Sequence, residues 1–165
     1  MPSRAGFQCS ALVGALYLAT SVARADTPAA TPDDAPAHQV LGTWLTQDHD
    51  GIIEISLARD GTYQGRIVGG NDPDRLDTNN PDPALRAEHL QGHVIMQGMH
   101  YLGEGHWSTG TIRDPNNGHV YKCRLQLLSP ERLQVRGFLG ISVLGRSQIW
   151  TRFSGPSLDL PPPGH

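Results

Sequence analysis

Eight short runs of alternating apolar and polar residues, separated by turn-forming residues, limit how this chain can fold. Each run has the two-residue period of a β-strand that has one face in a core, and no segment has both the length and the period of an amphipathic helix. The predicted strands are 40–46, 52–58, 62–68, 93–97, 106–113, 119–128, 132–139 and 147–153. The sequence therefore predicts an all-β protein.

The turns between these runs favour hairpins. Residues 59–61 (Arg-Asp-Gly) and 114–118 (Asp-Pro-Asn-Asn-Gly) suit tight connections that contain a residue at positive φ. In the sixth run Tyr121, Cys123 and Leu125 share one face opposite Lys122 and Arg124, which predicts a core side and a solvent side. Sequential antiparallel pairing follows.

The first and last strands are expected to pair with each other, because closing a small sheet removes its exposed edges. The prediction is an eight-stranded antiparallel up-and-down barrel, which can be filled by side chains or hold one small ligand. Trp44, Trp150 and Arg152 are the predicted barrel-closing residues, with the Arg152 guanidinium on the Trp44 indole. Alternatively, these tryptophans are packing residues at the sheet rims.

The segments outside the barrel have recognisable compositions. Residues 1–25 resemble a signal peptide, with Arg4, an apolar run at 11–20 and a small-x-small site that predicts cleavage after Ala25 and export to the periplasm. Residues 26–38 and 154–165 are rich in proline and are predicted to be a disordered linker and a disordered tail. The barrel domain is then 39–153, and no later apolar run is long enough to cross a bilayer as a helix.

Charge is distributed unevenly along the chain. The full sequence has a formal charge of −3, and removal of the leader leaves 11 basic against 16 acidic residues. Residues 113–152 contain seven bases and two acids. One interpretation is a solvated barrel surface; the other is a basic face, formed by Lys122, Arg124, Arg132 and Arg136, for an anionic partner. Nucleic acid is disfavoured because no clustered basic motif with aromatic residues is present.

Cleavage would leave Cys123 as a single cysteine, so no internal disulfide can form and the fold must depend on its core. Because Cys123 alternates with apolar neighbours, a buried packing role is expected, the alternative being a reactive thiol.

The long connection at 69–92 is the exception to the short turns. Connections of this length are usually functional or poorly ordered. Asp82 is a plausible N-cap and Pro83 suits the first helical position, so a short helix of about two turns over 84–90 is predicted to plug one barrel end. The residues expected to form a lid are Asp77, Asn79, Asn80, Asp82 and Arg86.

Acidic and amide residues in this connection invite a calcium interpretation, but 77–82 places proline fifth and aspartate sixth, where a calcium loop needs an oxygen ligand and glycine. Turn formation, capping or ligand gating explains them better. The eight histidines have no zinc-like spacing. The prediction is no metal and no cofactor. No nucleophile elbow, Cys–His signature or phosphate loop is present, which favours a protein that is not an enzyme, although an enzyme using loop carboxylates is a third alternative.

Several segments resemble one family. They are Gly42–Trp44, Gly65–Val68, Asp77–Arg86, Gly110–Pro115, Gly118–Tyr121, Val135–Gly140 and Trp150–Arg152. In this order they resemble the bacterial DUF2147 family of exported proteins over nearly all of 40–153. The resemblance implies a lipocalin-like (calycin-like) barrel, and the Gly-x-Trp start with the late arginine looks like the lipocalin closing pair. The chain departs from the family pattern at Arg113, where an aromatic residue is common.

The functional hypothesis is an exported periplasmic barrel that binds a small, partly apolar ligand or a cell-envelope component. The residues predicted to form the ligand-binding wall are Ile53, Ile55, Tyr63, Ile67, Tyr121, Leu125, Val135 and Ile149. The long connection would be the lid. The alternative is an interaction module that docks an anionic partner through the basic strand face.

Overall fold

A computed structural model of the protein describes residues 34–140 and 145–155. The strands in these residues pair in chain order, each antiparallel to its neighbours, and the last returns to the first. They are β1 (Gly42–Leu45), β2 (Gly51–Leu57), β3 (Tyr63–Gly70), β4 (Val94–Gly103), β5 (His106–Arg113), β6 (Val120–Ser129), β7 (Arg132–Phe138) and β8 (Gly145–Arg152). The predicted eight-stranded antiparallel up-and-down barrel is confirmed.

The barrel has two unlike ends. The open end carries the β1–β2 turn (46–50), the long β3–β4 connection (71–93) and the β5–β6 turn (114–119). The closed end carries the chain entry before β1, the β2–β3 turn (58–62) and the β6–β7 turn (130–131). Inward side chains near the open end form the open half of the interior, and those near the closed end form the closed half.

Large side chains fill the closed half. Trp107 is fully buried, with its ring 6.0 Å from Tyr63 in an edge contact and 5.0 Å from Tyr101. Other buried residues of this half include Trp44, Ile55, Met96, Met99, Cys123, Leu125 and Leu133. A Cβ on Gly110 would overlap the Met99 sulfur and the Gln97 carbonyl oxygen, so only glycine fits there. Burial raises the pKa of the Cys123 thiol to about 12, and the predicted packing cysteine is confirmed.

The seam between β1 and β8 is short. Trp44 lies opposite Arg152, and Leu45 lies opposite Thr151. The Arg152 guanidinium carbon is 3.9 Å from the Trp44 ring centroid, the stacking geometry expected for a cation–π contact. The Trp44 indole N–H donates to the Val40 carbonyl at 2.8 Å, which fixes the ring orientation under the guanidinium.

The same guanidinium also clamps three backbone carbonyls at the closed end. Its Nη1 donates to Leu41 at 2.7 Å, Nη2 to Gln39 at 2.6 Å and Nε to Pro130 at 3.1 Å. Burial lowers the pKa of Arg152, and the nearby Glu131 carboxylate opposes that shift. Arg152 therefore ties the chain entry and the β6–β7 turn to the barrel seam.

The linker prediction is wrong for its last residues. Asp34–His38 form a short helix, α1, with Ala37 buried against the core, and Val40 just after it is fully buried. These two apolar side chains cover the closed end of the barrel, which orders a stretch that composition alone marks as disordered. The predicted signal peptide at 1–25, linker residues 26–33 and tail residues 156–165 lie outside the described residues.

The helix predicted in the long connection is present but shorter than expected. Pro83–Leu85 form one 3₁₀ turn, and the Asp82 side chain accepts from the Ala84 N–H at 2.9 Å, so the predicted cap and start are confirmed. The two-turn length is wrong because the chain after it runs antiparallel to 75–77. Asp77 N–H donates to the Glu88 carbonyl at 2.9 Å, and Leu90 N–H donates to Arg75 at 2.8 Å. Within the described residues, no helix is long and apolar enough to span a bilayer.

Candidate functional site

The open half of the barrel contains a cavity of about 800 Å³. This volume lies within the range of small-molecule sites, which are typically about 300–1,000 Å³. The side chains that form its apolar wall are Ile53, Ile67, Leu90, Ile95, Ile112, Val135 and Trp150. The packed closed half forms the floor, so the cavity is a dead end rather than a channel.

The cavity exists because the upper wall is built partly from residues without side chains. Gly51, Gly69 and Gly137 line it. A Cβ on Gly137 would lie 3.5 Å from the Tyr121 Cβ and 3.6 Å from the Ile112 Cγ2, which is ordinary van der Waals contact. A side chain would therefore fit at Gly137, and its absence leaves space.

Polar residues surround the mouth of the cavity. Asp48 and Asp50 come from the β1–β2 turn, Asp72 and Arg75 from the long connection, and Arg146 from β8. Both signs of charge are present, so the rim provides hydrogen-bond donors and acceptors above an apolar interior. This arrangement can hold the polar part of a molecule at the rim and its apolar part below.

The structure divides the eight predicted wall residues into three groups. Ile53, Ile67, Tyr121 and Val135 line the cavity. Ile55, Tyr63 and Leu125 face inward but belong to the packed closed half, so their prediction as wall residues is wrong. Alternation identifies the face of a strand but carries no information about the height at which a cavity begins.

Ile149 was assigned to the wrong face. Leu133 lies opposite Trp150 and Val135 opposite Gln148, which puts Gln148 and Trp150 on the inner face of β8. Ile149 pairs with Gln134 on the outside. Trp150, predicted as a closing residue, is therefore an inward residue of β8 and forms part of the cavity wall.

A buried ion pair anchors the long connection. Asp77 has a fully buried side chain, and its two oxygens accept from Arg113 Nη1 at 2.7 Å and Nη2 at 2.6 Å. Asn80 Nδ2 donates to Asp77 Oδ2 at 2.8 Å, and His93 Nδ1 lies 2.8 Å from the same oxygen. His93 Nε2 lies 3.0 Å from Glu88 Oε2, so one imidazole joins two carboxylates of the connection.

Two opposing effects act on Asp77. Burial raises its pKa, but the hydrogen bonds from Arg113, His93 and Asn80 and the charge of Arg113 together hold the pKa below its ordinary value. The carboxylate is therefore stabilised in its charged form, as a buried, bidentate ion pair requires.

Hydrogen bonds to the β5–β6 turn fix the other side of the connection. Asn79 Nδ2 donates to the carbonyls of Pro115 and Asn116 at 3.3 and 3.0 Å. Arg75 Nη2 donates to Asn116 Oδ1 at 2.9 Å. Gly118, at φ +73°, approaches the Asn79 carbonyl so closely that a Cβ would overlap it.

The five residues predicted to form a lid do not line the cavity. Asp77 and Asn80 are buried in the anchor, Asn79 holds the β5–β6 turn, and Asp82 caps the 3₁₀ turn. Arg86 Nε donates to the Asn80 carbonyl at 2.8 Å. These five side chains are held in the ion pair, at the β5–β6 turn or on the connection's own backbone, so they do not reach the mouth. Other residues of the connection, Asp72 and Arg75 among them, do reach it.

Sequence reasoning missed Arg113 as the partner of Asp77. Two features of the sequence could have indicated this pair. Arg113 stands where the resembled family commonly has an aromatic residue, and the acid-rich connection at 69–92 could supply its counter-charge. Among residues 34–140 and 145–155, no group of three or more His, Cys, Asp and Glu side chains is placed to hold a metal ion.

Comparisons with known proteins agree with this architecture. The family model described as "Uncharacterized protein conserved in bacteria (DUF2147)" matches residues 42–152. Among solved structures, the chain is similar to protein HP1028 from Helicobacter pylori, which is described as belonging to the lipocalin family. The TM-score is 0.63 at 21% identity, covering 69% of this chain and 82% of the other. No curated protein matches the chain significantly. The fold is thus lipocalin-like.

Proposed function

This chain belongs to the DUF2147 family, and we propose that it binds a small, partly apolar ligand in the cavity at the open end of its barrel. The observation that carries the proposal is the cavity of about 800 Å³, whose wall contains seven apolar side chains together with Arg113, Tyr121 and Gln148 and whose rim is charged. Lipocalin-like barrels are typically binding rather than catalytic folds, which fits this arrangement.

The geometry favours one orientation of the ligand. Its apolar part would replace water against Ile67, Val135 and Trp150, where burial contributes roughly 25 cal/mol per Å² of apolar surface. Its polar part would lie at the rim, within reach of Asp72 and Arg146. Since the connection that bears Asp72 is anchored through Asp77, the mouth is preformed and little ordering accompanies binding.

Export to the periplasm is part of the same proposal. It rests on the leader-like sequence of residues 1–25, and it would make a cell-envelope component the natural ligand. Intact-mass measurement of protein from a periplasmic extract should give a chain that starts at Asp26. Recovery of the chain only from the cytoplasm, with residues 1–25 retained, would contradict this location.

The binding proposal is tested with an uncharged apolar fluorophore, N-phenyl-1-naphthylamine, titrated into the protein purified from its own cells. Gly137→Leu places a side chain in the cavity, whereas Gln134→Leu places the same side chain on the outer face of the same strand. Affinity should fall at least about tenfold in the first variant and stay unchanged in the second, because displacing the probe from an apolar wall costs at least about 1.4 kcal/mol. Equal affinities would overturn the proposal.

Two further measurements support the comparison. Val135→Phe fills the cavity from the same strand, so it serves as a second filling variant if Gly137→Leu does not fold. Native mass spectrometry of the protein from its own cells should show a noncovalent adduct that disappears in the filling variant and persists in Gln134→Leu. An adduct that survives in both filling variants would place the ligand elsewhere.

A further inference from the structure

The outer face of β6 combines apolar and cationic side chains in one line. Its outward residues are, in order, Val120, Lys122, Arg124, Gln126 and Leu128, which we call the β6 strip. Val120 is 49% exposed and Leu128 is 45% exposed, while the inward residues Cys123 and Leu125 are buried. The strip therefore has an exposed apolar residue near each end and two cations between them.

The strands around the strip carry no acidic side chain, and the nearest acids in the sequence, Asp114 and Glu131, lie in the turns at its two ends. Strands β6, β7 and β8 contain no aspartate or glutamate. Within the part of the chain that the structure describes, neither Lys122 nor Arg124 has a carboxylate at ion-pair distance. Both cations can therefore interact with an external anion.

A shallow groove of about 560 Å³ lies beside the two cations. Ser108 and Thr111 of β5 line it together with Lys122 and Arg124, and none of the described residues that line it is acidic. The Arg124 guanidinium carbon is 5.3 Å from the Phe138 ring centroid, which orients the side chain along the wall. Hydroxyls beside a guanidinium and an ammonium are the donors that phosphate oxygens accept from.

The shape of the strip favours a flat partner. A barrel wall is convex, so a plane touches it along a line, and the strip follows one strand for about 26 Å at about 3.3 Å per residue. Val120 and Leu128 are two of the six large apolar side chains that are exposed among the described residues. A soluble polyanion would use the cations and leave these apolar side chains in water, whereas a lipid surface uses both.

We propose that the β6 strip docks on an anionic lipid bilayer, with Lys122 and Arg124 on headgroup phosphates and Val120 and Leu128 at the boundary between headgroups and acyl chains. The cations supply long-range attraction, which salt screens, and the apolar residues supply short-range contact, which salt does not weaken. This docking uses the outside of the barrel and does not depend on the cavity or on what it binds.

Vesicle co-sedimentation of the protein purified from its own cells tests the proposal. Vesicles of phosphatidylcholine and phosphatidylglycerol in equal parts should retain the protein, and vesicles of phosphatidylcholine alone should not. Replacing Lys122 and Arg124 by Gln should weaken retention by about 25-fold, since each cation near an anionic surface contributes about fivefold. The matched control is Arg59→Gln with Arg66→Gln, which removes the same charge from exposed residues away from the strip and the cavity and should change retention little.

A second pair of variants separates the two parts of the strip. Val120→Ser with Leu128→Ser should weaken retention equally at low and high salt, whereas the cation variant should lose its salt dependence. Unchanged sedimentation of the cation variant would overturn the proposal. The proposal would also be overturned if the protein bound soluble polyphosphate as tightly as vesicles and the serine variants had no effect. Salt-sensitive self-association without vesicle binding would overturn it as well. The cavity-filled Gly137→Leu protein should sediment like the unmodified protein, so failure of the two proposals is distinguishable.

Discussion

The guanidinium of Arg152 lies on the indole of Trp44, 3.9 Å from its ring centroid, across the seam between the first and last strands. Only two residue pairs form the β1–β8 ladder, Trp44 with Arg152 and Leu45 with Thr151. Every other pair of neighbouring strands has at least three such residue pairs. The closure of the barrel therefore depends on this side-chain contact as well as on backbone hydrogen bonds.

Arg152→Ala should lower the free energy of unfolding by roughly 2–3 kcal/mol. It removes the stacking contact and leaves the Leu41 and Gln39 carbonyls without their donors. Urea unfolding followed by tryptophan fluorescence measures the change, and Arg59→Ala, in an exposed turn, is the control. Identical midpoints for the two variants would show that the contact does not stabilise the seam.

Asp77→Asn should release the long connection from the barrel. Arg113 would be left buried without a counter-charge, which costs about 3 kcal/mol. Limited trypsin digestion should then cut faster after Arg75 and Arg86, both in the connection. Asp74→Asn changes an exposed aspartate of the same segment and should leave cleavage at the unmodified rate. A cleavage rate unaffected by Asp77→Asn would contradict the anchoring role.

The same ion pair should make stability depend on acid pH. Because the folded-state pKa of Asp77 is lowered, the stabilisation is complete above the unfolded-state pKa, about 4, and is lost as pH falls through the folded-state pKa. The difference in unfolding free energy between the unmodified protein and Asp77→Asn should be constant at pH values above the unfolded-state pKa. It should shrink as the pH falls from there through the folded-state pKa. Urea unfolding at a series of acid pH values measures this difference. A difference that does not shrink toward low pH would rule out the linkage.

Two inward glycines should respond oppositely to the same substitution. Gly110→Ala should destabilise the barrel by about 2 kcal/mol or more, because the new Cβ overlaps the Gln97 carbonyl oxygen. Gly137→Ala should be neutral or stabilise by about 0.5 kcal/mol, since its Cβ would be in ordinary van der Waals contact with Tyr121 and Ile112 and would restrict the unfolded chain. Thermal unfolding of both variants compares the packed and open halves directly. Equal losses of stability would mean that the upper interior is not open.

The architecture could be predicted from the sequence because the strand signal repeats. Eight alternating runs and their turns determine the order of pairing, and closure follows from the cost of free sheet edges. The stacking of Arg152 on Trp44 follows from closure once the register is right. These features depend on local pattern and on one topological argument.

The site was less predictable because it depends on the position of each residue along the barrel axis and on contacts between residues that are distant in the sequence. Ile55 and Val135 both alternate inward, yet only Val135 borders the cavity, because the large Trp107 and Met99 side chains happen to fill the lower half. Asp77 and Arg113 are 36 residues apart, and no local pattern connects them. Their pairing requires the path of an irregular connection, which composition does not determine.

Different residues form the packed core and the cavity of this barrel, because large side chains fill its closed half while the open half contains the cavity. The closed half, which includes the contact between Trp44 and Arg152, does not depend on the side chains that line the open half. Substitutions at positions such as Gly137 or Ile67 could therefore alter what the cavity accepts without disturbing closure. For engineering, the residues that line the cavity can be varied while those of the packed half are left unchanged.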